Sequence, residues 1–300
     1  MEVNSNAVVL GLGLVVALGL QRYFIHERRA ISETSPRVRK ILITGAASGI
    51  GRETALLFHA KGWEVGLADL NEQAAQKFAQ ELGLDRAKPF ALDVTNPESC
   101  RSVVDAFCGA GKDGGLDALF NSAGLLAIGM FDNLDLARQT NQIRVNLEGL
   151  VNMTYMALPR LKMCKQSVIV NMASASAMSG VPTHAVYAAT KAGVYSFTEA
   201  LGIELYESQV RVCDVSVGYV ASPMLLNQES RKSAMLALPY MAPPIVAQTV
   251  YQAALKARLH REHFYVEYST ALMFKIQGFC RTLGIRLHML LVALLCMPRS

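Results

Sequence analysis

The chain has 300 residues and a net charge of +5, and 52% of its residues are hydrophobic against 18% charged, with a mean hydropathy of +0.26. This length favours one large domain with tails, and so apolar a composition indicates contact with a membrane. Six scattered cysteines without a Cys-x-x-Cys pair argue against a zinc site or disulfide framework, and the lack of a basic stripe with interleaved aromatic residues disfavours nucleic-acid binding.

The N-terminal segment is apolar. Ala7–Leu20 is a run of 14 residues without a polar side chain, and extension to Ile25 gives 19, close to the roughly 20 that a spanning helix needs. Basic residues follow it: Arg22, Arg28, Arg29, Arg37, Arg39 and Lys40. We expect residues 1–36 to be a membrane anchor with a basic linker, at the endoplasmic reticulum or a lipid droplet, with the following domain in the cytosol. A signal or transit peptide, a helix packed on protein and a merely solvated linker are the alternatives.

Residues 37–267 alternate short apolar runs with segments of 3.6-residue periodicity. The predicted strands are Lys40–Thr44, Glu64–Asp69, Ala87–Val94, Asp117–Gly124, Ser167–Ser174, Val210–Gly218 and His263–Glu267. The predicted helices are Ile50–Lys61, Glu72–Leu82, Glu98–Cys108, Leu134–Lys162, Val186–Glu207 and Ala242–Lys256. This pattern is typical of an α/β domain with a doubly wound, Rossmann-type parallel sheet of about seven strands and helices on both faces.

The C-terminal tail, residues 268–300, mixes apolar residues with Lys275, Arg281 and Arg286 and contains the apolar run Met289–Met297. Nine residues are too few to span a bilayer as a helix. The tail is therefore predicted to be either an amphipathic helix at the membrane surface or a helix that covers the core or a dimer contact.

A glycine-rich turn, TGAASGIG, joins the first predicted strand to the first helix. Gly45 permits a tight turn, Gly49 lets a pyrophosphate approach the backbone, and Gly51 lets the helix pack closely on the strand. The start of the helix then offers free N–H groups and a positive dipole to the phosphates. A dinucleotide site is therefore predicted at this turn.

The second predicted strand ends in a carboxylate, Asp69, which lies 24 residues after Gly45. Such a carboxylate can accept hydrogen bonds from the ribose hydroxyls of NAD, and it repels the 2′-phosphate of NADP. No Lys or Arg follows, since the next residues are Leu70 and Asn71. We expect NAD to be preferred with NADP possible, the alternative being that Asp69 only caps a turn.

The sequence YAATK places Tyr187 and Lys191 one helical turn apart on the same face. Transfer of hydride to a carbonyl requires a proton donor, and the reverse reaction requires a base. The pKa of a free tyrosine, about 10, is too high for a base at neutral pH, and a neighbouring ammonium is expected to lower it. The pair is therefore a candidate for acid–base catalysis.

With these motifs the chain resembles the short-chain dehydrogenase/reductase family, from about Arg39 to Val266. The adenine-binding aspartate of that family matches Asp93, its Asn-Asn-Ala-Gly element is NSAG with Ser122 in second place, and its Pro-Gly element is Val217–Gly218. The resemblance implies these nucleotide contacts: Gly45, Ser48, Gly49, Ile50, Gly51, Asp69, Asp93, Val94, Asn121, Ala123, Gly124, Tyr187, Lys191, Gly218, Val220 and Ser222.

The resemblance also completes a catalytic set. Ser174 lies 13 residues before Tyr187, where the family has the serine that binds the substrate oxygen, whereas Ser176 at 11 residues does not match. Asn146 matches the family's helix asparagine, which holds a water against the lysine in a proton relay. Ser174, Tyr187, Lys191 and Asn146 are the predicted catalytic residues, without a metal. The resemblance also implies homodimers or homotetramers through the Tyr187 helix and its neighbour.

The segment Pro223–Pro244, which follows Ser222, corresponds to the family's mobile flap and is rich in Leu and Met. Together with the membrane anchor, it predicts a lipophilic substrate, namely a sterol, retinoid, fatty or sphingoid alcohol or ketone. The flap residues alternatively pack on the core only. An NAD(P)-dependent oxidoreductase is thus expected, and the alternative is a dinucleotide-sensing or membrane-tethered scaffold with the same fold.

Overall fold

The computed structural model describes residues 37–109, 114–178, 180–226, 240–256, 263–266 and 271. Within them lies a seven-stranded sheet in the order β3-β2-β1-β4-β5-β6-β7, in which every neighbouring pair is parallel. The strands are β1 (Lys40–Thr44), β2 (Glu64–Asp69), β3 (Ala87–Ala91), β4 (Ala118–Asn121), β5 (Ser167–Met172), β6 (Val210–Ser216) and β7 (His263–Tyr265). The strand order reverses direction between β1 and β4, where the carboxyl ends of an open sheet diverge into a ligand-binding crevice.

Helices cover both faces of this sheet. They are α1 (Gly49–Ala60), α2 (Glu72–Leu82), α3 (Pro97–Cys108), α4 (Leu136–Ile143), α5 (Gly149–Lys162), α6 (Ala185–Glu204), α7 (Pro223–Leu226) and α8 (Pro243–Lys256), with a π-helical turn, Arg144–Glu148, between α4 and α5. One core includes Phe58 of α1 and Val250 of α8, and the other includes Phe107 of α3 and Met153 of α5. Because both faces are covered, all residues of β4, β5 and β6 are buried.

The predicted doubly wound fold is confirmed, but five strands end two or three residues earlier than predicted, at Ala91, Asn121, Met172, Ser216 and Tyr265. Asp93, Gly124, Ser174 and Gly218 therefore lie beyond the last residues of their strands. Backbone hydrogen bonds from Ala173 and Ala175 still connect the chain after β5 to Val215 and Val217. The predicted helical region Leu134–Lys162 is helical from Leu136 to Lys162, but it contains the π-helical turn, which the sequence pattern did not predict.

Three cations of the basic cluster that follows the apolar run pack on the domain. The Arg37 guanidinium donates to both carboxylate oxygens of Asp117, at 2.7 and 3.0 Å, and Arg39 lies 5.2 Å from the centroid of the Trp63 ring. Lys40 lies 3.8 Å from a Glu64 carboxylate oxygen. These three charges therefore have partners within the fold and are not reserved for a membrane surface.

The predicted membrane anchor, residues 1–36, lies outside the described residues, and so does the predicted tail, residues 268–300, apart from Ala271. In the part of the chain that is described, no helix combines the length and the apolar character that crossing a bilayer requires.

Four cysteines lie within the described residues, and all four are buried and form no disulfide bond there: Cys100, Cys108, Cys164 and Cys213. Burial raises the pKa of the Cys100 thiol to about 12 and that of Cys108 to about 11. These thiols are protonated at neutral pH and behave as small apolar core residues, as expected from the sequence.

Candidate active site

The three glycines of the turn after β1 are closely surrounded by backbone and side-chain atoms. Gly45 and Gly49 adopt positive φ angles of 66° and 52°, in the left-handed region that favours glycine. A Cβ on Gly45 would lie 3.0 Å from the Ala123 Cα, and a Cβ on Gly51 would lie 2.2 Å from the Gly45 carbonyl oxygen. A Cβ on Gly49 would lie 3.2 Å from the Ser222 Cβ, so the turn also packs on the loop after β6.

The loop after β4 is bound to this turn by a side chain that the sequence analysis did not single out. The Thr44 hydroxyl accepts hydrogen bonds from the backbone N–H groups of Ser122 and Ala123, each at 3.0 Å. Thr44 is the last residue of β1, so one hydroxyl joins the two strands on either side of the crevice. The TGAASGIG and NSAG motifs therefore form one surface.

Asp69 lies at the carboxyl end of β2 and has a second role. Its Oδ2 accepts a hydrogen bond from the Ala47 N–H at 2.9 Å, and its Oδ1 accepts one from the Asn71 N–H at 2.9 Å. The Asn71 side chain in turn caps α2. Asp69 therefore supports the glycine turn as well as the start of α2, and each oxygen keeps a lone pair for another donor.

A cleft of about 760 Å³ runs from the glycine turn to the start of α6. Most of the predicted residues line it: Gly45, Ser48, Gly49, Ile50, Gly51, Asp69, Asp93, Val94, Ala123, Gly124, Ser174, Tyr187, Lys191, Gly218, Val220 and Ser222. Two predicted residues, Asn121 and Asn146, do not line it. The parallel strands thus bring most of the predicted nucleotide contacts and three of the four predicted catalytic residues to one cavity.

Asn121 and Asn146 instead make buried hydrogen bonds. The Asn121 amide donates to Thr154 at 3.0 Å and to Asn171 at 2.9 Å, which joins β4 to α5 and β5. The Asn146 amide pairs with both backbone groups of Leu125, accepting at 2.7 Å and donating at 2.9 Å. Asn146 therefore holds the cleft-lining loop at Leu125 from behind, and Asn121 fastens β4 to the elements next to it. Sequence spacing does not distinguish such supporting positions from direct contact.

Three hydroxyl groups meet beside the start of α6. Ser174 and Tyr187 share a side-chain hydrogen bond, and the Ser174 and Ser176 hydroxyl oxygens are 2.7 Å apart. The Ser176 N–H also donates to the Ser174 hydroxyl at 3.2 Å. Ser176, which its spacing to Tyr187 had disfavoured, therefore orients Ser174 from within the short 3₁₀ turn Ala175–Ala177.

Burial dominates the ionisation of the Tyr187–Lys191 pair. Desolvation raises the pKa of Tyr187 to about 12, opposed only by the hydrogen bond with Ser174, and desolvation lowers the pKa of Lys191 to about 8. The Lys191 Nζ donates to the Met172 carbonyl at 2.7 Å and lies 5.7 Å from the centroid of the Tyr187 ring. The predicted lowering of the tyrosine pKa by Lys191 is therefore wrong for the protein alone, because both groups lie in one dehydrated region.

The part of the chain that contains these motifs is similar to known proteins. Residues 39–233 match the family described as short chain dehydrogenase. The chain belongs to the short-chain dehydrogenase/reductase family. It is 33% identical over 216 residues to the 3-oxoacyl-(acyl-carrier-protein) reductase FabG of Thermotoga maritima, covering 70% of this chain and 87% of that protein. As a member of this family, the chain is an oxidoreductase that acts on CH–OH or C=O groups.

Two solved structures are similar to this dehydrogenase. A short-chain dehydrogenase/reductase from Burkholderia phymatum in complex with NAD has a TM-score of 0.71 at 22% identity, covering 83% of this chain and 95% of that one. A 3-ketoacyl-(acyl-carrier-protein) reductase from Brucella melitensis complexed with NADH has a TM-score of 0.69 at 27% identity, covering 77% and 98%. The first supports the fold alone, because its sequence identity is low.

The loop after β6 shows how this dehydrogenase compensates for the missing Pro-Gly element. Val220 pairs with Met241 in a short parallel bridge. The Met241 N–H donates to the Tyr219 carbonyl at 2.9 Å, and the Met241 carbonyl accepts from the Ala221 N–H, also at 2.9 Å. These bonds tie the loop Gly218–Ser222 to the start of α8. Pairing with a neighbouring segment therefore holds a loop that lacks the stiffness of a proline.

Sequence reasoning missed several residues that line the dehydrogenase cleft. They include Thr95, Asn141, Arg144, Val181 and His184. Asn141 and Arg144 come from the interrupted helix, and Val181 and His184 from the loop before Tyr187. No motif predicts these positions. The single available sequence signal is His184 itself, because a histidine one turn before a candidate acid–base tyrosine is expected to lie near the same site.

Proposed function

We propose that this dehydrogenase transfers hydride between NAD and an apolar alcohol or ketone. The observation that carries the proposal is the meeting of Ser174, Tyr187 and Lys191 at one end of a cleft whose other end is the glycine turn. A dinucleotide fits the turn, because Gly45 and Gly49 give it positive φ angles, Gly51 leaves no room for a Cβ, and the N-terminus of α1 faces the cleft. Gly45, Gly49, Asp69 and Asp93 would hold its adenosine and phosphate groups.

The residues of the chain have separate tasks in this reaction. Ser174 donates a hydrogen bond to the substrate oxygen, and Tyr187 gives that oxygen a proton in reduction or removes one in oxidation. Lys191, which is held to β5 through Met172, stabilises the phenolate form of Tyr187 by its charge. The nicotinamide, when bound, supplies or accepts the hydride.

A preference for NAD over NADP is part of the proposal. Asp69 provides the carboxylate, and Arg52, the nearest cation along α1, already pairs with Glu81 at 2.6 Å and lies 4.4 Å from the Phe78 ring centroid. No cation in the described part of the cleft near Asp69 is therefore available for a 2′-phosphate. The kcat/KM ratio of NAD to NADP should fall at least about tenfold in Asp69→Ala and stay unchanged in the exposed control Glu72→Ala. An unaltered ratio in Asp69→Ala would reject this assignment.

The substrate end of the cleft supports an apolar substrate. Its lining includes Leu125, Leu126, Val181, Met224 and Leu225, side chains that gain free energy by burying hydrocarbon. In a screen of 2-alkanols and 2-alkanones in detergent, kcat/KM should rise with chain length, and Tyr187→Phe should abolish turnover. Binding of NAD without turnover of any compound would favour the scaffold alternative.

A second candidate substrate is a 3-oxoacyl thioester. It is favoured by the 33% identity to a reductase named for that activity. Such a substrate also carries an apolar chain, which would be buried against the same apolar lining residues. Reduction of acetoacetyl-CoA faster than that of 2-alkanones of any length would decide for this candidate.

We further propose that residues 1–36 attach the enzyme to the endoplasmic reticulum or a lipid droplet, with the domain of residues 37–267 facing the cytosol. The support is the apolar run Ala7–Leu20. Residues 1–36 fused to a fluorescent protein should resist carbonate extraction from membranes, and the enzyme lacking them should become extractable. A fusion that stays in the soluble fraction would exclude this role.

A further inference from the structure

His184 is a cleft residue to which the proposed reaction assigns no task. It directly precedes α6, three residues before Tyr187, and only 4% of it is exposed. It lines the cleft, and its ring lies 6.4 Å from the Tyr187 ring, centroid to centroid, at 68°. A polar side chain thus lies next to the phenol at which the substrate oxygen is expected.

The orientation of the imidazole is set by its own loop. The Nδ1 atom lies 3.1 Å from the Pro182 carbonyl oxygen and 3.0 Å from the Thr183 hydroxyl. A carbonyl can only accept a hydrogen bond, so Nδ1 carries the proton and donates it. Burial lowers the pKa of His184, which leaves the ring neutral. It follows that Nε2 presents a bare lone pair and is an acceptor.

The loop that holds the ring is strained. Thr183 has a φ of 69°, and within the described residues it is the only non-glycine residue at positive φ. A β-branched residue rarely adopts this conformation, and such strain concentrates at functional sites. The Thr183 carbonyl accepts a hydrogen bond from the Gly129 N–H at 3.1 Å, which stabilises the conformation. The strained backbone places the Thr183 hydroxyl and the Pro182 carbonyl on the same edge of the imidazole.

The opposite nitrogen has no partner. Nε2 of His184 is buried and makes no hydrogen bond within the part of the chain that the structure describes. A buried acceptor without a donor is unfavourable, and a ligand that supplies the donor gains the full hydrogen bond. A ligand donor that reaches this nitrogen would therefore be recognised selectively.

We propose that Nε2 of His184 accepts a hydrogen bond from a second hydroxyl of the substrate, next to the carbon that reacts. The inference rests on the proposed dehydrogenase function and narrows its substrates to apolar 1,2-diols and 2-hydroxy ketones. His184 is then a specificity-determining residue: a compound without the second hydroxyl leaves the nitrogen unpaired and is used less well.

The test compares decane-1,2-diol with decan-2-ol, each with NAD, and identifies the product of oxidation at carbon 2. The wild-type kcat/KM should favour the diol by about tenfold or more, the effect of one buried hydrogen bond. His184→Phe should bring the ratio close to one, and His184→Gln, whose carbonyl can accept, should keep part of it. Leu84→Ala, at an exposed residue that does not line the cleft, is the control and should leave the ratio unchanged. A wild-type ratio of one, or a ratio that His184→Phe does not alter, overturns the inference.

A second measurement separates failure of this inference from failure of the proposed function. In ¹⁵N-histidine-labelled wild-type enzyme with NADH, which cannot oxidise the diol, the His184 signals should show the Nδ1–H form. Decane-1,2-diol should shift the Nε2 resonance, and decan-2-ol should not. An Nε2–H form, or no shift at saturating diol, overturns the inference whether or not turnover occurs. Turnover of neither compound together with the expected shift rejects the proposed reaction instead.

Discussion

At the scale of single residues, burial controls the chemistry of the cleft. Lys191 is 5% exposed, and its Nζ is held by one backbone carbonyl, that of Met172, at 2.7 Å. Tyr187 shares its hydroxyl with Ser174. Desolvation therefore disfavours the charged forms of both the lysine and the tyrosine, which shifts their pKa values in opposite directions. In the protein alone, the charged forms of Lys191 and Tyr187 are therefore destabilised by burial. A bound nucleotide and substrate can supply polar groups that stabilise these charged forms.

The burial of the charged Lys191 side chain should lower the stability of the nucleotide-free protein in a pH-dependent way. Burial lowers its pKa from 10.5 to about 8, so between these values the unfolded chain binds more protons than the folded one. Lys191 should therefore contribute about 1–2 kcal/mol more to the free energy of unfolding at pH 9.5 than at pH 7.5. Denaturant unfolding of the wild type and Lys191→Met at both pH values measures this contribution as the change in the difference between the two proteins, because the buried cysteines are common to both. Equal slopes for the two proteins would contradict the assignment.

A second prediction concerns Ser176. Its hydroxyl lies 2.7 Å from that of Ser174 and its N–H donates to the Ser174 hydroxyl oxygen at 3.2 Å, so Ser176 fixes the position of that oxygen. Ser176→Ala should lower kcat about 3–10-fold with little change in KM, because one orienting hydrogen bond is lost. Ser174→Ala should lower kcat by about 100-fold or more. Ser176→Thr, which keeps the hydroxyl, serves as the control, and a Ser176→Ala enzyme with wild-type kcat would exclude this role.

At the scale of elements, the helix between β4 and β5 is the informative one. The apolar pattern predicts one helix from Leu134 to Lys162, because an extra residue in one turn hardly disturbs a 3.6-residue periodicity. The structure inserts the π-helical turn Arg144–Glu148, whose central residue, Asn146, binds the backbone of Leu125. The irregular turn therefore brings a helix side chain to the loop that borders the cleft.

Gly149, the first residue of α5, links this helix to the predicted adenine end of the cleft. A Cβ at Gly149 would lie 2.5 Å from the Val94 Cγ2, closer than real contacts allow. Gly149→Ala should lower the free energy of unfolding by about 1–3 kcal/mol, as overpacking does. It should also raise the KM for NAD several-fold by displacing Val94.

Thermal unfolding and NAD titration check this pair of effects. Gly180→Ala is the matched control, because a Cβ there meets nothing within 4 Å. Gly149→Ala with lower stability but unchanged NAD binding would show that Val94 is not part of the nucleotide site.

At the scale of the whole molecule, an apolar face is exposed on α4, the π turn and α5. Ile143 is 45% exposed, Val151 39% and Tyr155 71%. They are spaced by multiples of four and lie along one side of consecutive helical segments. The resemblance to the family implies an interface through the Tyr187 helix, α6, and its neighbour, and we propose that this face of the neighbouring helix forms part of that interface.

Charges on this face should therefore break the assembly. Val151→Glu combined with Tyr155→Glu should give a monomer in light scattering, whereas the wild type should have at least twice that mass. Leu84→Glu, which is 53% exposed elsewhere on the surface, is the control and should not change the mass. A double variant that keeps the wild-type mass would place the interface elsewhere.

The sequence by itself determined the sheet, the family and most of the cleft. These features are local patterns in the sequence: the apolar periodicity, the glycine turn after β1 and the four-residue spacing of Tyr187 and Lys191. A local pattern can be recognised without knowledge of the tertiary contacts. Only the tertiary structure decided that Ser176 orients Ser174, that Asp69 supports the glycine turn and that His184 presents an unpaired nitrogen. These facts depend on which buried polar groups meet across distant segments and on how far each is removed from water, and neither is encoded in spacing.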